Sequence, residues 1–428
     1  MFLVYVLYFV AIAIGFGALL IVAMRWAALS EYQPTGCVPV SVILPLTGEA
    51  RSFATLLDAL NRQTLLPACL LVAVESEQDP AYARVRAEAH KANFPIKLIV
   101  AGPATHQAQK CRNQQAALDC LDPEHKVIAL MDGDIVPDPE WLGGLVWPIV
   151  SGQFDIISGH RWQQVAKHRL GAHLVTAVDR GLTLLPRIDL DSASVAWGGS
   201  IAMTTLVAQR LDLRALFDRV LSDDLALASR AAALGLRVGT HVSLLVPSPN
   251  AQSLVSAWRF ARRQYQMCRI YRPALWRFGL CVVGLRLAGW SAALWFTVTQ
   301  QAAGVWVLAL LTVLGMLKQW GVGAVARRAD MPDRWSVRVV QILLGGLQPV
   351  VDAFHLSVIV GAAWMRRVRW GHVTYRVRGP ENIEIQSRQT FDDMRAPTPD
   401  HVANPPEWKL TELARPGAQD TAVKRAAP

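Results

Sequence analysis

The first 24 residues contain a continuous apolar run. Residues 2–24 carry no charge, and as a helix these 23 residues are long enough to cross the roughly 30 Å hydrocarbon core of a bilayer. A cleaved signal peptide would carry basic residues before its apolar segment, whereas Arg25 follows it. The pattern therefore favours a transmembrane anchor over residues 1–30. Because positive residues stay on the cytoplasmic side, Arg25 predicts an outward-facing N-terminus and a cytosolic location for the chain that follows.

From residue 38 to 277 the apolar runs are short and alternate with amphipathic stretches. The mainly apolar runs of six or seven residues predict strands over 40–46, 69–75, 96–101 and 126–132. The amphipathic stretches between them predict helices over 51–62, 82–91 and 110–121. This alternation predicts an α/β fold with a mostly parallel, Rossmann-like sheet, which binds its ligands at the carboxyl ends of the strands.

Residues 278–370 are predicted to form a second membrane region. Residues 279–317 are long enough for two spans with a break near residues 299–301. The apolar stretch 341–364 has basic clusters on both sides, which predicts that both of its ends lie in the cytosol. Because this stretch is too short to cross twice, we expect a re-entrant or interfacial helix broken at Pro349. The polar tail, 377–428, has little apolar surface to bury and is expected to be disordered.

The composition agrees with a membrane protein. Of the 428 residues, 52% are hydrophobic and 18% are charged, and 43 Lys and Arg exceed 33 Asp and Glu by ten. The basic residues mostly flank apolar stretches instead of forming a soluble basic face, which excludes a nucleic-acid binder. The six cysteines are scattered, with no C-x-x-C pair and no histidines at ligand spacing, and this argues against a zinc module and a disulfide framework.

An acidic motif follows the fourth predicted strand. The apolar run ends directly in Asp132-Gly133-Asp134. Carboxylates at a strand end suit a hard divalent cation such as Mg²⁺ or Mn²⁺, and phosphate oxygens can take the coordination positions that the protein leaves open. Asp and Gly are also ordinary turn formers, so that a solvated turn explains this motif equally well when it is taken alone.

Further polar residues are predicted at the same edge of the sheet. Each of them alone is compatible with an ordinary loop, but together they indicate one site. They are Pro45, Thr47 and Glu49 after the first strand, Glu75 and Glu77 after the second, Lys110 after the third, and a distant group of Trp197, Gly198, Gly199, Asp223 and Asp224.

The order of these motifs resembles that of the inverting GT-A glycosyltransferases of the family 2 type, which include cellulose synthase, and particularly the ceramide-glucosyltransferase-like branch. The resemblance covers residues 38–277, and it extends more loosely to the membrane segment and to residues 366–370. It implies a GT-A domain flanked by transmembrane helices and a hexosyltransferase activity that uses a UDP-sugar.

The resemblance also implies roles for the donor-site residues. Asp132 and Asp134 would bind the metal ion and the sugar diphosphate, with Asp134 favoured as the direct ligand. Glu75 or Glu77 would face the uracil or the ribose. Lys110 would take the place of the family's basic residue near the third strand.

Asp224 would be the general base. It would remove a proton from the acceptor hydroxyl during a single displacement that inverts the anomeric carbon. Ser222, Asp223 and Asp224 also precede an amphipathic stretch and predict a helix N-terminus. The two interpretations are compatible, because a helix start also offers N–H groups to anions.

A basic helix is predicted just before the second membrane region. In the related enzymes a Q/R-x-x-R-W motif at this place holds the acceptor and the pyrophosphate, but residues 258–273 read WRFARRQYQMCRIYRP. An interfacial helix that contacts anionic headgroups is the alternative, since Arg binds both kinds of phosphate. The candidates for acceptor and diphosphate contacts are Asp223, Trp197, Gly198, Gly199, Arg262, Arg263, Gln264 and Tyr265. Residues 160–162, HRW, either border the acceptor cavity or pack in the core.

Three functions fit these features. The preferred one is a membrane-anchored glycosyltransferase that moves a sugar from a UDP-sugar to a lipid, such as ceramide, diacylglycerol or a polycyclic isoprenoid, at the cytosolic leaflet of the cytoplasmic membrane. A processive polysaccharide synthase is the second, although three or so spans leave little room for a polymer channel. A non-catalytic membrane protein that binds a nucleotide or a partner is the third. No sequence feature predicts a specific protein partner.

Overall fold

The computed structural model describes residues 2–27, 38–185, 196–240, 242–300 and 302–391. The strands before the second membrane region are β1 Val40–Pro45, β2 Cys69–Val74, β3 Ile96–Val100, β4 Val127–Met131, β5 Ile156–Ser158, β6 His160–Val165, β7 Ser200–Thr204, β8 Val238–Gly239 and β9 Leu245–Asn250. Seven of them form one sheet in the order β3-β2-β1-β4-β7-β5-β8, and β6 pairs with β9 in a separate parallel ribbon. β1 to β4 are parallel, whereas β7 runs antiparallel to both of its neighbours.

Helices cover both faces of this sheet. An N-terminal helix, α1 Phe2–Ala27, precedes the sheet domain. The helices of the sheet domain are α2 Phe53–Asn61, α3 Pro80–Glu88, α4 Gln109–Leu118, α5 Trp141–Val150, α6 Leu170–Thr183, α7 Thr205–Arg210, α8 Leu213–Leu216, α9 Asp223–Ala233 and α10 Leu254–Tyr271. Asp79 caps α3, since its Oδ1 accepts a hydrogen bond from the N–H of Ala81 at 3.0 Å, and Pro80 occupies the first helical position.

The parallel half of the sheet agrees closely with the sequence. β1, β2 and β4 are buried on both faces, which explains why their sequences are continuous runs of Val, Ile and Leu. The four predicted strands occur within one residue of their expected bounds, and the three helices between them within three. The predicted α/β fold with a mostly parallel sheet is confirmed. The carboxyl ends of β1 to β4 lie at one edge, where Pro45, Glu75 and Asp132 are found.

Three helices of the described chain are long and apolar enough to cross a bilayer. They are α1 and the two helices that follow α10, which are α11 Pro273–Gln300 and α12 Ala302–Arg328. α11 ends at Gln300 and α12 begins at Ala302, which agrees with the break predicted near residues 299–301. α11 begins five residues before the expected boundary at 278. Large apolar side chains on these helices are exposed, among them Trp295, Val298 and Trp306. Such a surface matches a lipid environment better than water.

α1 packs along both α11 and α12, and corresponding ends lie together. Near the start of α1, the ring of Tyr5 lies 5.4 Å from that of Phe296. Near its end, Nη1 of Arg328 donates to the carbonyl of Trp26 at 2.9 Å, and Nη2 of Arg25 donates to the carbonyl of Leu185 at 2.7 Å. The end of α1 therefore contacts the end of α6 in the sheet domain, whereas its start lies beside the α11–α12 connection.

A bent helix pair follows α12. α13 Trp335–Gly346 and α14 Gln348–Gly361 meet at an angle of 83°. The sequence predicts a broken helix here, but the break is at Leu347, because Pro349 is accommodated in the first turn of α14, where its missing N–H costs no hydrogen bond. Asp352 on α14 is fully buried and forms a bidentate ion pair with Arg286 of α11. The position of this pair relative to a bilayer stays a prediction.

The chain after α14 forms a small antiparallel sheet. Its strands are β10 Arg367–Trp370, β11 Val373–Gly379 and β12 Asn382–Arg388. The expectation of disorder from residue 377 is therefore wrong for residues 377–388. The alternation in VTYRVRG buries Val373, Tyr375 and Val377, which join the main core cluster of the sheet domain. Residues 392–428, the rest of the predicted tail, lie outside the described residues.

Candidate active site

Lys110 lies between the two acidic motifs. Its Nζ is 2.7 Å from Oδ1 of Asp132 and 2.9 Å from Oδ2 of Asp223. The three residues come from different elements, since Lys110 is in the first turn of α4, Asp132 follows β4 and Asp223 opens α9. The structure thus brings the motifs near residues 132 and 223 into one cleft at the carboxyl edge of the parallel strands.

The turn after β4 presents Asp134 to solvent. Among the described residues, no other side chain forms a hydrogen bond or an ion pair with its carboxylate. Surrounding protein atoms and the neighbouring Asp132 raise the pKa of Asp134, and Lys110 and Arg161 oppose this shift. Asp134 is therefore an exposed carboxylate with free lone pairs in a cleft that already holds a second carboxylate.

This arrangement fits the predicted cation. Asp134 has both carboxylate oxygens available, and Asp132 engages only Oδ1 with Lys110. No group of three His, Cys, Asp or Glu side chains lies at metal-binding spacing within the described residues. The donor set thus suits Mg²⁺ or Mn²⁺ held by one or two carboxylates, with the remaining positions filled by a ligand's oxygens.

The second acidic motif forms the first turn of α9. Ser222 occupies the N-cap position and its Oγ donates to Oδ1 of Asp224, while the N–H of Gly198 donates to Oδ2 at 3.1 Å. Gly198 also approaches Lys110, because a Cβ at this position would lie 2.8 Å from Nζ. The helix start and the candidate base therefore coincide, and a larger residue at position 198 would push Lys110 away.

Electrostatics distinguish the two carboxylates of α9. Burial and the neighbouring Asp223 raise the pKa of Asp224 above its ordinary value, despite the opposing effect of Lys110. Burial lowers the pKa of Lys110, but Asp132, Asp223 and Asp224 outweigh it and raise the pKa well above the usual range. Lys110 is accordingly a permanent cation, and Asp224 holds a proton more tightly than an ordinary aspartate. Asp223 is 1% exposed and also accepts from Nε2 of Gln114 at 2.8 Å.

The residues that follow β1 and β2 point in different directions. Thr47 is exposed next to Pro45 at the end of β1, and Glu49 forms an ion pair with Arg51. Glu77 is exposed and accepts a hydrogen bond from the hydroxyl of Tyr82 at 3.4 Å.

Glu75, by contrast, is buried under the small antiparallel sheet of β10, β11 and β12, called the C-terminal sheet below. Nη1 of Arg388 donates to its Oε1, and Nε2 of His372 lies 2.7 Å from its Oε2. The two glutamates considered for the nucleoside therefore differ in environment, and the role of each stays a prediction.

The candidate residues of the basic helix α10 lie on two different faces of the helix. The guanidinium of Arg263 lies over the ring of Phe260 and over that of Trp370, 5.9 Å from each centroid. Burial and the neighbouring Arg161 lower the pKa of Arg263, whereas Asp134 raises it. Arg263 is therefore on the side of the acidic cleft.

The remaining candidates on α10 lie away from that cleft. Arg262 stacks on Trp258 at 5.0 Å, and the hydroxyl of Tyr265 shares a hydrogen bond with Nε2 of His355 on α14. The side chain of Gln264 is half-buried and forms no hydrogen bond within the described chain. The structure thus places one of the four candidate residues of α10, Arg263, near Asp134.

Trp197 and the HRW sequence border the same region. The N–H of Trp197 donates to Oγ of Ser158 at 2.8 Å, and its ring lies 6.1 Å from that of His160. Arg161 lies 3.4 Å from Asp179 on α6. Trp162 is fully buried beneath Arg180, at 4.7 Å from the guanidinium, so that this residue packs in the core.

Several residues of the cleft escape the sequence-based prediction. Gln114 could have been found, because it follows Lys110 by one helical turn and so shares its face of α4. Asp179, His372 and Arg388 carry no local signal, since they reach the cleft from elements that are distant in the sequence.

A family model described as Glycosyl transferase family 21 matches residues 3–383. No curated protein matches the chain at a significant level. Among solved structures, the mannosyltransferase PcManGT from Pyrobaculum calidifontis, in complex with GDP-Man and Mn²⁺, is 15% identical, with 84% of this chain and 99% of that chain covered and a TM-score of 0.43. TarS from S. aureus, in complex with UDP-GlcNAc, is 12% identical, with coverages of 82% and 100% and a TM-score of 0.35. Glucosyl-3-phosphoglycerate synthase from Mycobacterium tuberculosis is 15% identical, with coverages of 54% and 79% and a TM-score of 0.34.

Proposed function

Since the chain belongs to glycosyl transferase family 21 and is a nucleotide-sugar glycosyltransferase with a GT-A fold, we propose that it transfers a sugar from a UDP-sugar to a lipid hydroxyl at the cytosolic leaflet of the cytoplasmic membrane. The transfer inverts the anomeric carbon in a single displacement. The proposal goes beyond the family assignment in two respects, since it names UDP as the nucleotide and a lipid as the acceptor.

One observation carries the catalytic part of the proposal. Asp224 lies beside Lys110, which bridges Asp132 and Asp223, so that a base and a diphosphate site are adjacent. α10 flanks this arrangement, because the N–H of Leu221 donates to the hydroxyl of Tyr271 at 2.8 Å. The same helix continues into α11, the first candidate span after the sheet domain.

The chain's own residues have distinct roles in this reaction. Asp224 accepts the proton of the acceptor hydroxyl as the oxygen attacks the anomeric carbon. Lys110 pairs with Asp132 and Asp223 and holds the two carboxylates in place. Arg263 is placed to bind a phosphate oxygen on the side of Asp134. Asp134 and Asp132 would hold Mg²⁺ or Mn²⁺, which would neutralise the charge on the departing diphosphate.

The arrangement of the candidate spans supports a lipid acceptor and a cytosolic sheet domain. The ends of α1 and α12 that contact the sheet domain carry Arg25, Arg327 and Arg328, whereas the start of α1 and the α11–α12 connection carry no basic residue. Because positive residues favour the cytoplasmic side, the sheet domain is assigned to the cytosol and the N-terminus to the outside.

The test is a transfer assay with the purified full-length protein in lipid. Individual UDP-sugars are supplied with Mn²⁺ or Mg²⁺, and both UDP release and lipid products are measured, the latter by mass spectrometry. We expect Asp224→Asn to abolish transfer while UDP binding survives. Asp58→Asn, which changes an exposed aspartate on α2, is the matched control and is expected to be fully active.

Two results would overturn the proposal. Full transfer by Asp224→Asn would remove Asp224 as the base. Products that carry chains of many sugars, instead of single glycosyl lipids, would replace the single transfer by a processive synthase.

A further inference from the structure

The C-terminal sheet meets the donor end of the cleft. The turn between β10 and β11 contains Gly371, whose position for a Cβ lies 3.6 Å from Cγ2 of Thr47, beyond the end of β1. β11 contributes Tyr375, whose hydroxyl accepts a hydrogen bond from the N–H of Gln109 at 3.0 Å, at the first residue of α4. The sheet therefore spans the loops that follow β1 and β3.

Arg388 of β12 fills the space between these loops. Nη1 donates to Oε1 of Glu75 and to Oε1 of Gln109 at 3.1 Å, and Nη2 donates to the carbonyl of Ala104 at 3.1 Å. His372 completes the group, with Nε2 at 2.7 Å from Oε2 of Glu75. Arg388, which follows Glu75 by 313 positions, thus holds Oε1 of the Glu75 carboxylate, whereas the buried Oε2 contacts His372 and accepts no hydrogen bond within the described residues.

The C-terminal sheet is a fixed wall and not a detachable cover. Val373 and Tyr375 are fully buried in the same hydrophobic cluster as Ile99 and Cys111 of the sheet domain. Lifting the sheet would transfer these large side chains from the core to water, which is unfavourable. The contacts of Arg388 therefore belong to the resting fold, and the side chain of Arg388 itself remains 25% exposed.

We propose that Arg388 and His372 are positioning residues of the donor site, which hold the carboxylate of Glu75 in a single orientation toward the nucleoside of the donor. This inference rests on the proposed use of a nucleoside-diphosphate sugar. Oε1 of Glu75 accepts from Arg388, and the buried Oε2 accepts no hydrogen bond within the described residues, so that its lone pairs can accept from an N–H or O–H of a nucleoside. Arg388 also balances the negative charge of Glu75, which would otherwise repel the diphosphate of the donor.

The test compares Arg388→Ala and Arg388→Lys with the wild type and with Arg378→Ala as the matched control. Arg378 lies on the same small sheet in an exposed ion pair with Glu384 at 3.0 Å. UDP binding to the full-length protein is measured by calorimetry with Mn²⁺ present, and KM for the donor and kcat are measured separately. We expect Arg388→Ala to weaken UDP binding and to raise the donor KM by about tenfold or more, with kcat changed less than about twofold.

Three comparisons make the result decisive. Arg388→Lys keeps the charge and is expected to restore part of the affinity, and Arg378→Ala is expected to bind UDP as the wild type does. In a double-mutant cycle, Glu75→Gln with Arg388→Ala is expected to lose less affinity than the two single losses combined, because the residues act through one contact. Should Arg388→Ala fail to fold, Arg388→Lys and Glu75→Gln give the same comparison.

Wild-type affinity for UDP in Arg388→Ala, or additive losses in the cycle, would overturn the positioning role while the proposed function stands. A wild-type protein that binds no nucleotide would instead overturn the proposed function, and the positioning role with it.

Discussion

The carboxylate of Asp134 forms no hydrogen bond or ion pair with another side chain of the described chain. Its loss should therefore affect metal-dependent binding more than folding. We expect Asp134→Ala to weaken UDP binding in the presence of Mn²⁺ by about tenfold or more, with little change in the weaker binding seen with a chelator. Calorimetric titrations with and without Mn²⁺ measure both quantities. Equal affinities for the variant and the wild type in Mn²⁺ would remove Asp134 as a ligand.

If Asp224 is the base, as proposed, the fall of kcat at low pH follows the protonation of its carboxylate. Its pKa is raised by burial and by Asp223, so its carboxylate form is lost at a higher pH than for an ordinary aspartate, as pH falls through the raised value. Asp223→Asn removes the like charge and keeps an acceptor oxygen for Gln114. We expect the acid limb of kcat to move to lower pH in this variant. An unmoved limb in a pH-rate profile would show that another group titrates.

At the level of elements, two helices of the second membrane region approach at glycines. A Cβ on Gly315 of α12 would lie 2.0 Å from the carbonyl oxygen of Gly345 on α13. Small residues at such crossings allow close backbone packing between membrane helices. Any side chain here must push the two backbones apart.

We expect Gly315→Ala to destabilise the protein by about 1–3 kcal/mol through this overpacking. Gly284→Ala is the control, because nothing lies within 4 Å of its Cβ position on α11. Thermal unfolding of both variants in the same detergent provides the comparison. A Tm for Gly315→Ala at or above that of Gly284→Ala would mean that the crossing is looser than described.

Elements differ in how far the sequence predicts them. β1, β2 and β4 are buried on both faces, and their apolar runs are bounded by turn residues, so the pattern places them within one residue. β5 and β8 have three and two residues, too few for any periodic pattern. β5 exists because β7 offers a pairing edge, and β8 pairs in turn with β5, which are tertiary effects.

The small C-terminal sheet shows a different limitation. β11 alternates apolar and polar residues, which is a strand signal, but its outward arginines make the segment resemble a polar tail. The site itself was predictable where it follows strand ends, as with Asp132 and Lys110. The ion pair of Arg388 with Glu75 was not, because no local pattern joins positions so distant in the sequence.

For the whole molecule, the small sheet of β10, β11 and β12 is part of the core. We expect a protein that stops after residue 366 to lose the cooperative unfolding of the sheet domain, because Val373, Tyr375 and Val377 leave the main cluster. A protein that stops after residue 391 keeps this sheet and is the control. Thermal unfolding and UDP release measure the two effects. Equal stability of the two truncated proteins would mean that the small sheet adds nothing to the fold.

The hydrogen bonds of Arg25 and Arg328 have a consequence for acceptor choice. They join the end of α1 to the end of α6 and to α12. The position of the sheet domain relative to α1 is therefore fixed. In the proposed function, the carboxylate of Asp224 is thereby held at one height relative to the lipid headgroups. An acceptor whose hydroxyl sits deeper or shallower would not be reached, which makes depth, alongside chemical identity, a criterion of selection.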